Sequence, residues 1–282
     1  KPGSYTAAFT EALIKEAESR QDVVAITAAM PDSTGLLPFS ERYPDRFFDV
    51  GIAEQHATTA AAGMAMSGLR PVVAIYATFL NRAFDQVAFD VGLHELPVIF
   101  CLDRAGITGP AGASHHGLLD MMLMSKIPGM TIFAPSSYQE LQQMFHDALD
   151  ISDGPVCIRY PRTPAPTVHE KEVGKGTQAR KVQDGHDACI LAIGKMLEPA
   201  KEAAKALEAK GIQCGIWDVR CVAPLDIAML EDAHRYPAVI TIEDGITEGG
   251  IGATIQNKLS KLGGRGPMVR TMGIPSAYVP QG

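Results

Sequence analysis

Long apolar runs are missing from this 282-residue chain. Its longest apolar stretches, residues 71–76 and 97–102, have the length of strands, well short of the roughly 20 residues a membrane-spanning helix needs. No membrane partner is expected. An excess of positive charge is missing as well: 25 basic residues face 32 acidic ones, a net charge of −7, which argues against a polyanionic partner such as nucleic acid. No CxxC motif or Cys/His pair with zinc-ligand spacing occurs, and the five cysteines (Cys101, Cys157, Cys189, Cys214 and Cys221) are odd in number and scattered. They read as buried free thiols of a reducing compartment, so a cytoplasmic location is expected. An initiator methionine and a signal-peptide stretch are also missing from the opening Lys1-Pro2-Gly3. The chain is therefore expected to be a fragment or to lack an N-terminal part, and its end at Pro280-Gln281-Gly282 is equally abrupt.

What is present is alternation. Short β-rich runs at 23–27, 47–50, 72–76, 98–102, 130–134 and 156–159 are separated by helical patterns at 4–19, 81–93 and 138–150. That order implies a mainly parallel sheet covered on both faces. In the first helix Phe9, Leu13 and Ala17 recur every four residues, which assigns it a structural role. Between 161 and 176 the pattern breaks into Pro161, Pro164, Pro166 and the charged His169-Glu170-Lys171-Glu172, a proline-stiffened linker. A second βα series follows, with β-rich runs at 188–193, 213–219, 238–242 and 268–272 and a helix at 199–209. The expected fold class is α/β in two domains, each a mainly parallel sheet flanked by helices. They cover residues 1–163 and 181–282, joined by a linker at 164–180, and the second is a smaller unit of about 100 residues.

The most informative stretch is Phe48-Asp49-Val50-Gly51-Ile52-Ala53-Glu54-Gln55-His56-Ala57. A short buried strand at 47–50 leads into a helix at 52–67 rich in Ala, Gly and Met, with Glu54 just inside its start. Glu54 faces either the helix's own N–H groups, where the dipole favours it, or a ligand. Phe79 falls at the carboxyl end of a strand, where open α/β sheets place ligands; an ordinary core phenylalanine is the alternative. Arg104 and Arg162 each lie in a loop after an expected strand, and guanidinium forks bind phosphate bidentately. Arg159 competes for that role but lies inside a strand, where it can pair with a core carboxylate. His115 and His116 follow the glycine-rich turn 106–114, a loop of the kind that carries function, and neutral His suits proton transfer near neutral pH. No neighbouring Cys or second His pair has metal-ligand spacing. His56 reads as a residue that packs its helix or supports a neighbouring site residue.

Together, Glu54-Gln55-His56, Tyr76-Ala77-Thr78-Phe79-Leu80 and Asp103-Arg104-Ala105-Gly106 resemble the pyrimidine-binding domain of thiamine-diphosphate enzymes. The blocks 45–57, 71–86 and 103–117 most resemble the 1-deoxy-D-xylulose-5-phosphate synthase family of the transketolase superfamily. The likeness covers the last two of that family's three domains. It implies a transferase that condenses pyruvate with D-glyceraldehyde 3-phosphate, releasing carbon dioxide, for isoprenoid precursor, thiamine and pyridoxal biosynthesis. Thiamine diphosphate and Mg2+ are the implied cofactors and a homodimer the implied assembly. By the same resemblance Glu54 hydrogen-bonds a ring nitrogen of the aminopyrimidine, favouring the imino tautomer that deprotonates the thiazolium. Phe79 stacks on that ring, with Tyr76 and Arg82 beside the cofactor. Tyr76 and His115 approach the substrates, and Arg104 and Arg162 hold the phosphate. Glu54 and His115 are the implied catalytic residues.

Two departures from the family pattern stand out. The family loop usually reads Gly-x-Asp-Gly-x-Thr/Ser-His, whereas Gly109-Pro110-Ala111-Gly112-Ala113-Ser114-His115 puts a methyl group in place of the carboxylate. The Gly-Asp-Gly segment that holds the diphosphate and its metal is absent, since Asp153-Gly154, Asp184-Gly185 and Asp244-Gly245 all lack the preceding glycine. No metal ligand is therefore expected in this chain, which reads as half of an active site completed by a diphosphate-binding domain absent from it. The glycine cluster 244–253 fails the dinucleotide fingerprint, because position 255 is Ile255, and reads as close helix packing or a helix-terminal site. Two other assignments stay open: the pyrimidine-binding subunit of a split transketolase or 2-oxoacid dehydrogenase, and a non-catalytic assembly module.

Overall fold

The computed structural model describes residues 3–281; Lys1, Pro2 and Gly282, which entered the reading of the chain's ends, lie outside the described residues. In chain order the first part runs α1 (Tyr5–Ser19), β1 (Val23–Thr27), α2 (Leu37–Arg42), β2 (Phe47–Asp49), α3 (Glu54–Met66), β3 (Arg70–Tyr76), β4 (Ile99–Asp103), α4 (Asp120–Met124), β5 (Thr131–Phe133), α5 (Tyr138–Asp150) and β6 (Val156–Arg159). The second part runs β7 (Arg180–Gln183), β8 (Ala188–Ala192), α6 (Leu197–Glu208), β9 (Cys214–Asp218), β10 (Cys221–Ala223), α7 (Ile227–His234), β11 (Ala238–Ile246), α8 (Ile251–Ser260) and β12 (Met268–Ile274).

Local chemistry explains where the helices begin. The Ser4 hydroxyl accepts from the amide of Ala7 at the head of α1, and Ser137 does the same for Glu140 in α5, each satisfying an N–H that the helix leaves unpaired. The seven-stranded sheet has the order β10-β5-β6-β4-β3-β1-β2, parallel throughout except for the antiparallel β10–β5 pair. Adjacent residues of β3 serve opposite faces. Val72 and Ala74 pack with Phe9 and Phe145, whereas Val73 and Ile75 pack with Ala57 and Ala61 of α3. The five-stranded sheet has the order β12-β11-β8-β9-β7, with only β7–β9 antiparallel. Both sheets thus match the α/β class expected from the alternation.

Three local expectations are corrected. β2 is an edge strand with Phe48 39% exposed, not a buried one, because only β1 flanks it. The helical pattern at 81–93 divides into a 3-10 turn, Phe79–Ala83, and a π-helical segment, Gln86–Gly92, the latter tied to α3 by a hydrogen bond from Thr59 Oγ1 to Asp90 at 2.6 Å. His56 is exposed on α3 rather than packed.

The two parts are bound closely. β10 leaves the second part to extend the first sheet, and one hydrophobic cluster joins Phe100 and Ile132 to Leu191 and Val219. Arg220, fully buried, donates from Nε to Glu140 of α5 at 2.8 Å and from Nη1 to the carbonyl of Gln178 at 2.6 Å. No helix among the described residues is long and apolar enough to cross a membrane, and all five cysteines are buried and free.

Candidate active site

Glu54 is the first residue of α3 and only 2% exposed. No side chain caps this helix, and Glu54 Oε2 has no hydrogen-bond partner. The carboxylate is therefore not consumed by its own helix. Its nearest cation is Arg82, whose Nη1 stands 3.4 Å from Oε2 and whose side chain is 57% exposed. Arg82 belongs to the turn that begins with Phe79, so one short segment presents an aromatic ring and a guanidinium beside a buried acid.

Phe79 stacks on Tyr76 with ring centroids 5.4 Å apart and 14° between planes. His115 meets both rings edge-on, 5.4 Å from Phe79 and 6.4 Å from Tyr76, and its Nδ1 lies 2.9 Å from Ser114 Oγ. The Arg104 guanidinium carbon sits 4.5 Å from the Tyr76 ring centroid, a cation–π arrangement. Arg104 adopts φ +59°, costly for a side-chain-bearing residue. The strain is held by the buried Asp103, which accepts from the Arg104 amide at 2.7 Å and pairs with Nη1 at 2.9 Å. Burial raises the Asp103 pKa, and Arg104 opposes that rise.

Arg104 and Arg162 line one cleft of about 590 Å³, with Ser4, Thr6, Asp32 and Tyr76. Arg162 is exposed and carries no ion pair among the described residues, so its fork is free for an anion. Arg104 Nη1 already donates to the Ser33 carbonyl at 2.5 Å. The structure thus joins Tyr76, Phe79, His115, Arg104 and Arg162 around adjoining surfaces, with Glu54 and Arg82 at the far end of the Phe79 turn. Ala111 lies in the 3-10 turn Gly109–Ala111 of the same loop as His115.

Arg159 is buried and paired elsewhere, although its Nη2 has no hydrogen-bond partner. Its Nε donates to Asp120 at 2.7 Å and its Nη1 to Asp244. Burial would lower the guanidinium pKa, but the two carboxylates outweigh it and hold the group above its ordinary value. The helix-terminal site suggested by the glycine cluster is likewise filled by the chain itself. Glu243 accepts from the amides of Gly252 at 2.8 Å and Ile251 at 3.3 Å, and burial pushes its pKa up to about 7. Among the described residues no group of three His, Cys, Asp or Glu side chains could hold a metal ion.

Ser4, Thr6 and Asp32 escape a reading by pattern. The α1 stripe reports only which face is buried, yet Thr6 Oγ1 donates to Asp103 at 2.7 Å and so supports Arg104. A serine before the stripe signals a cap, which was the one available pointer to this end of the helix.

Residues 1–167 match the family described as transketolase, pyrimidine binding domain, and residues 177–282 match transketolase, C-terminal domain. The chain belongs to the transketolase family. Among similar curated proteins, a 1-deoxy-D-xylulose-5-phosphate synthase of Magnetococcus marinus is 46% identical over 286 residues, covering 99% of this chain and 45% of that protein. The corresponding synthase 1 of Geobacter sulfurreducens is 46% identical over 289 residues, covering 100% and 45%. This transketolase-family chain therefore spans about 45% of the length of these relatives. A solved split-gene transketolase, described as an inactive β4 tetramer, superposes with a TM-score of 0.88 at 30% identity, covering 98% of this chain and 90% of that one. A transketolase of Pichia stipitis gives a TM-score of 0.76 over 85% of this chain and 38% of that one; at 17% identity it shows the fold alone.

Proposed function

We propose that this chain is the pyrimidine-binding and C-terminal portion of a thiamine-diphosphate-dependent 1-deoxy-D-xylulose-5-phosphate synthase, which joins pyruvate to D-glyceraldehyde 3-phosphate with loss of carbon dioxide. The observation that carries this reading is Glu54, a buried carboxylate whose Oε2 accepts no hydrogen bond and faces only the Arg82 guanidinium of the Phe79 turn. When bound, thiamine diphosphate supplies the carbanion chemistry. Glu54 offers the oxygen that would share a proton with a ring nitrogen of the pyrimidine. Phe79 offers a ring face to it, with Tyr76 and Arg82 alongside. His115 is set to hold or pass a proton to substrate at its imidazole nitrogens, and Arg104 and Arg162 would grip a phosphate from one cleft.

In this proposal residues 1–163 form the cofactor unit, 164–180 the linker and 181–282 the C-terminal unit. Diphosphate and Mg2+ ligands lie in a diphosphate-binding domain outside this chain, and the assembly is a homodimer in the cytoplasm. Ile52, 77% exposed just ahead of α3, gives such a domain an apolar contact two residues from Glu54. The likeness to the split-gene transketolase at 30% identity favours a second reading, in which the donor is a ketose phosphate. The two are separated by mixing the chain with a diphosphate-binding domain, Mg2+ and thiamine diphosphate. Release of carbon dioxide from pyruvate that depends on glyceraldehyde 3-phosphate is expected. Turnover of a ketose phosphate without that release would replace the first reading with the second.

A further inference from the structure

The loop that bears His115 is closed on itself at its base. The Gly106 amide donates to the Gly117 carbonyl at 2.8 Å, and the Gly117 amide returns the bond at 2.9 Å. Inside this ring His116 is only 5% exposed. Its Nδ1 lies 3.0 Å from both the amide nitrogen and Oγ1 of Thr108, and its Nε2 lies 3.4 Å from the carbonyl oxygen of Pro280. An amide N–H only donates and a carbonyl only accepts, so Nδ1 must be bare and Nε2 must carry the proton. Geometry thus selects one neutral tautomer, with one bond inside the loop and the other to the far end of the chain.

Other contacts from the second part reach the same loop. The Ile246 amide donates to the Leu118 carbonyl at 3.0 Å. Asp244 occupies the space beside Gly106, where an added Cβ would come within 2.4 Å of its Oδ2; Gly106 also has φ +76°, so glycine is required there on two counts. Gln281 lies against Gly112, its Oε1 3.8 Å from where a Cβ would be. None of Asp244, Ile246, Pro280 and Gln281 lines the arginine cleft. Their common effect is on the loop.

We propose that His116 is a positioning residue: bonded to Thr108 on one side and Pro280 on the other, it makes the C-terminal segment a support for the loop and sets His115 against Phe79 and Tyr76. The consequence for turnover rests on the proposed synthase reading, whereas the tautomer and the support do not. The test begins with the 282-residue chain labelled with ¹⁵N-histidine and free of substrate and cofactor. Nuclear magnetic resonance should show His116 with Nε2 protonated and Nδ1 bare. A chain ending at Ala277 should shift the His115 resonances while leaving the amide signals of β3 and β4 in place. A protonated Nδ1, or His115 signals indifferent to the truncation, overturns the proposal.

With a diphosphate-binding domain added, His116→Ala should lower kcat about ten- to hundred-fold, the scale of a small misplacement at a reacting centre, with little change in KM for the triose phosphate. His116→Asn, whose side-chain oxygen can take the place of Nδ1 and accept from Thr108, should recover part of that loss. An unchanged kcat in the Ala variant would refute the role. If the parent mixture shows no turnover, the assigned reaction fails, and the two spectra decide the positioning role by themselves.

Discussion

At the scale of single residues, the site divides into groups held for structure and groups left free. Glu54→Gln keeps the shape of the side chain but removes the carboxyl group that can share a proton. With a diphosphate-binding domain present, exchange of the cofactor's thiazolium proton for deuterium should slow about 10²–10⁴-fold, while the circular dichroism spectrum stays that of the parent. The two arginines of the cleft should behave differently. Arg162, exposed and unpaired among the described residues, can be changed to Ala within about 0.5 kcal/mol of the parent stability. It should still raise KM for glyceraldehyde 3-phosphate about ten- to hundred-fold, the value of a charge-assisted bond of about 1.5–3 kcal/mol. Arg104→Ala strands the buried Asp103, so it should lower Tm as well as weaken phosphate binding. Equal melting curves for the two variants would contradict this division. At Ala111, restoring the carboxylate should raise turnover about tenfold, equivalent to about 1.4 kcal/mol of barrier; no gain in steady-state rate would mean that the loop works without it.

At the scale of elements, the junction between the sheets contains acids that the fold keeps from water. Asp218, the last residue of β9, accepts from Ser136 Oγ at 2.6 Å. Burial first, then the nearby Glu140 charge, raises its pKa from the ordinary 3.8 to about 7. Glu243 is displaced in the same sense, from 4.5 to about 7. Because the folded pKa exceeds the unfolded one, the folded chain binds more protons between these values. The stability contributed by these groups is fully present below their unfolded pKa values and is lost as pH rises through about 7. Asp218→Asn cannot ionise, yet its amide oxygen can still accept from Ser136. Relative to the parent, its Tm should therefore rise between pH 5 and pH 8, by about 2–4 °C for each kcal/mol recovered. Thermal melts with the same Tm difference at both pH values would show that Asp218 does not titrate in this range.

At the scale of the whole molecule, the two parts act as one body through β10, the Arg220–Glu140 pair and the Arg159 link between Asp120 and Asp244. Cutting such a buried charge network leaves an uncompensated ion at about 3–5 kcal/mol, so Arg220→Ala should destabilise both sheets together, in a single cooperative unfolding transition. The chain alone should also bind thiamine diphosphate feebly even with Mg2+ present, because its described residues offer no cluster of metal-binding side chains to neutralise the diphosphate. Micromolar binding by calorimetry would place the diphosphate site within this chain after all.

Much of this protein was legible in neighbouring residues. The runs at 23–27 and 156–159 and the pattern at 138–150 coincide with β1, β6 and α5, because strand and helix periodicities are written in adjacent side chains. The motifs around Glu54, Phe79 and Arg104 were equally local, as was the missing Gly-Asp-Gly. What the chain order concealed was every contact that depends on distant packing. Arg159 meets a carboxylate 85 residues away, Arg220 one 80 residues away, and His116 a carbonyl 164 residues away. Whether an arginine in a strand binds a ligand or neutralises the core depends on which acid the folded chain brings to it. For Arg159 and Arg162, three residues apart, only the tertiary structure decided: the first is buried between two carboxylates, and the second is left exposed on the cleft.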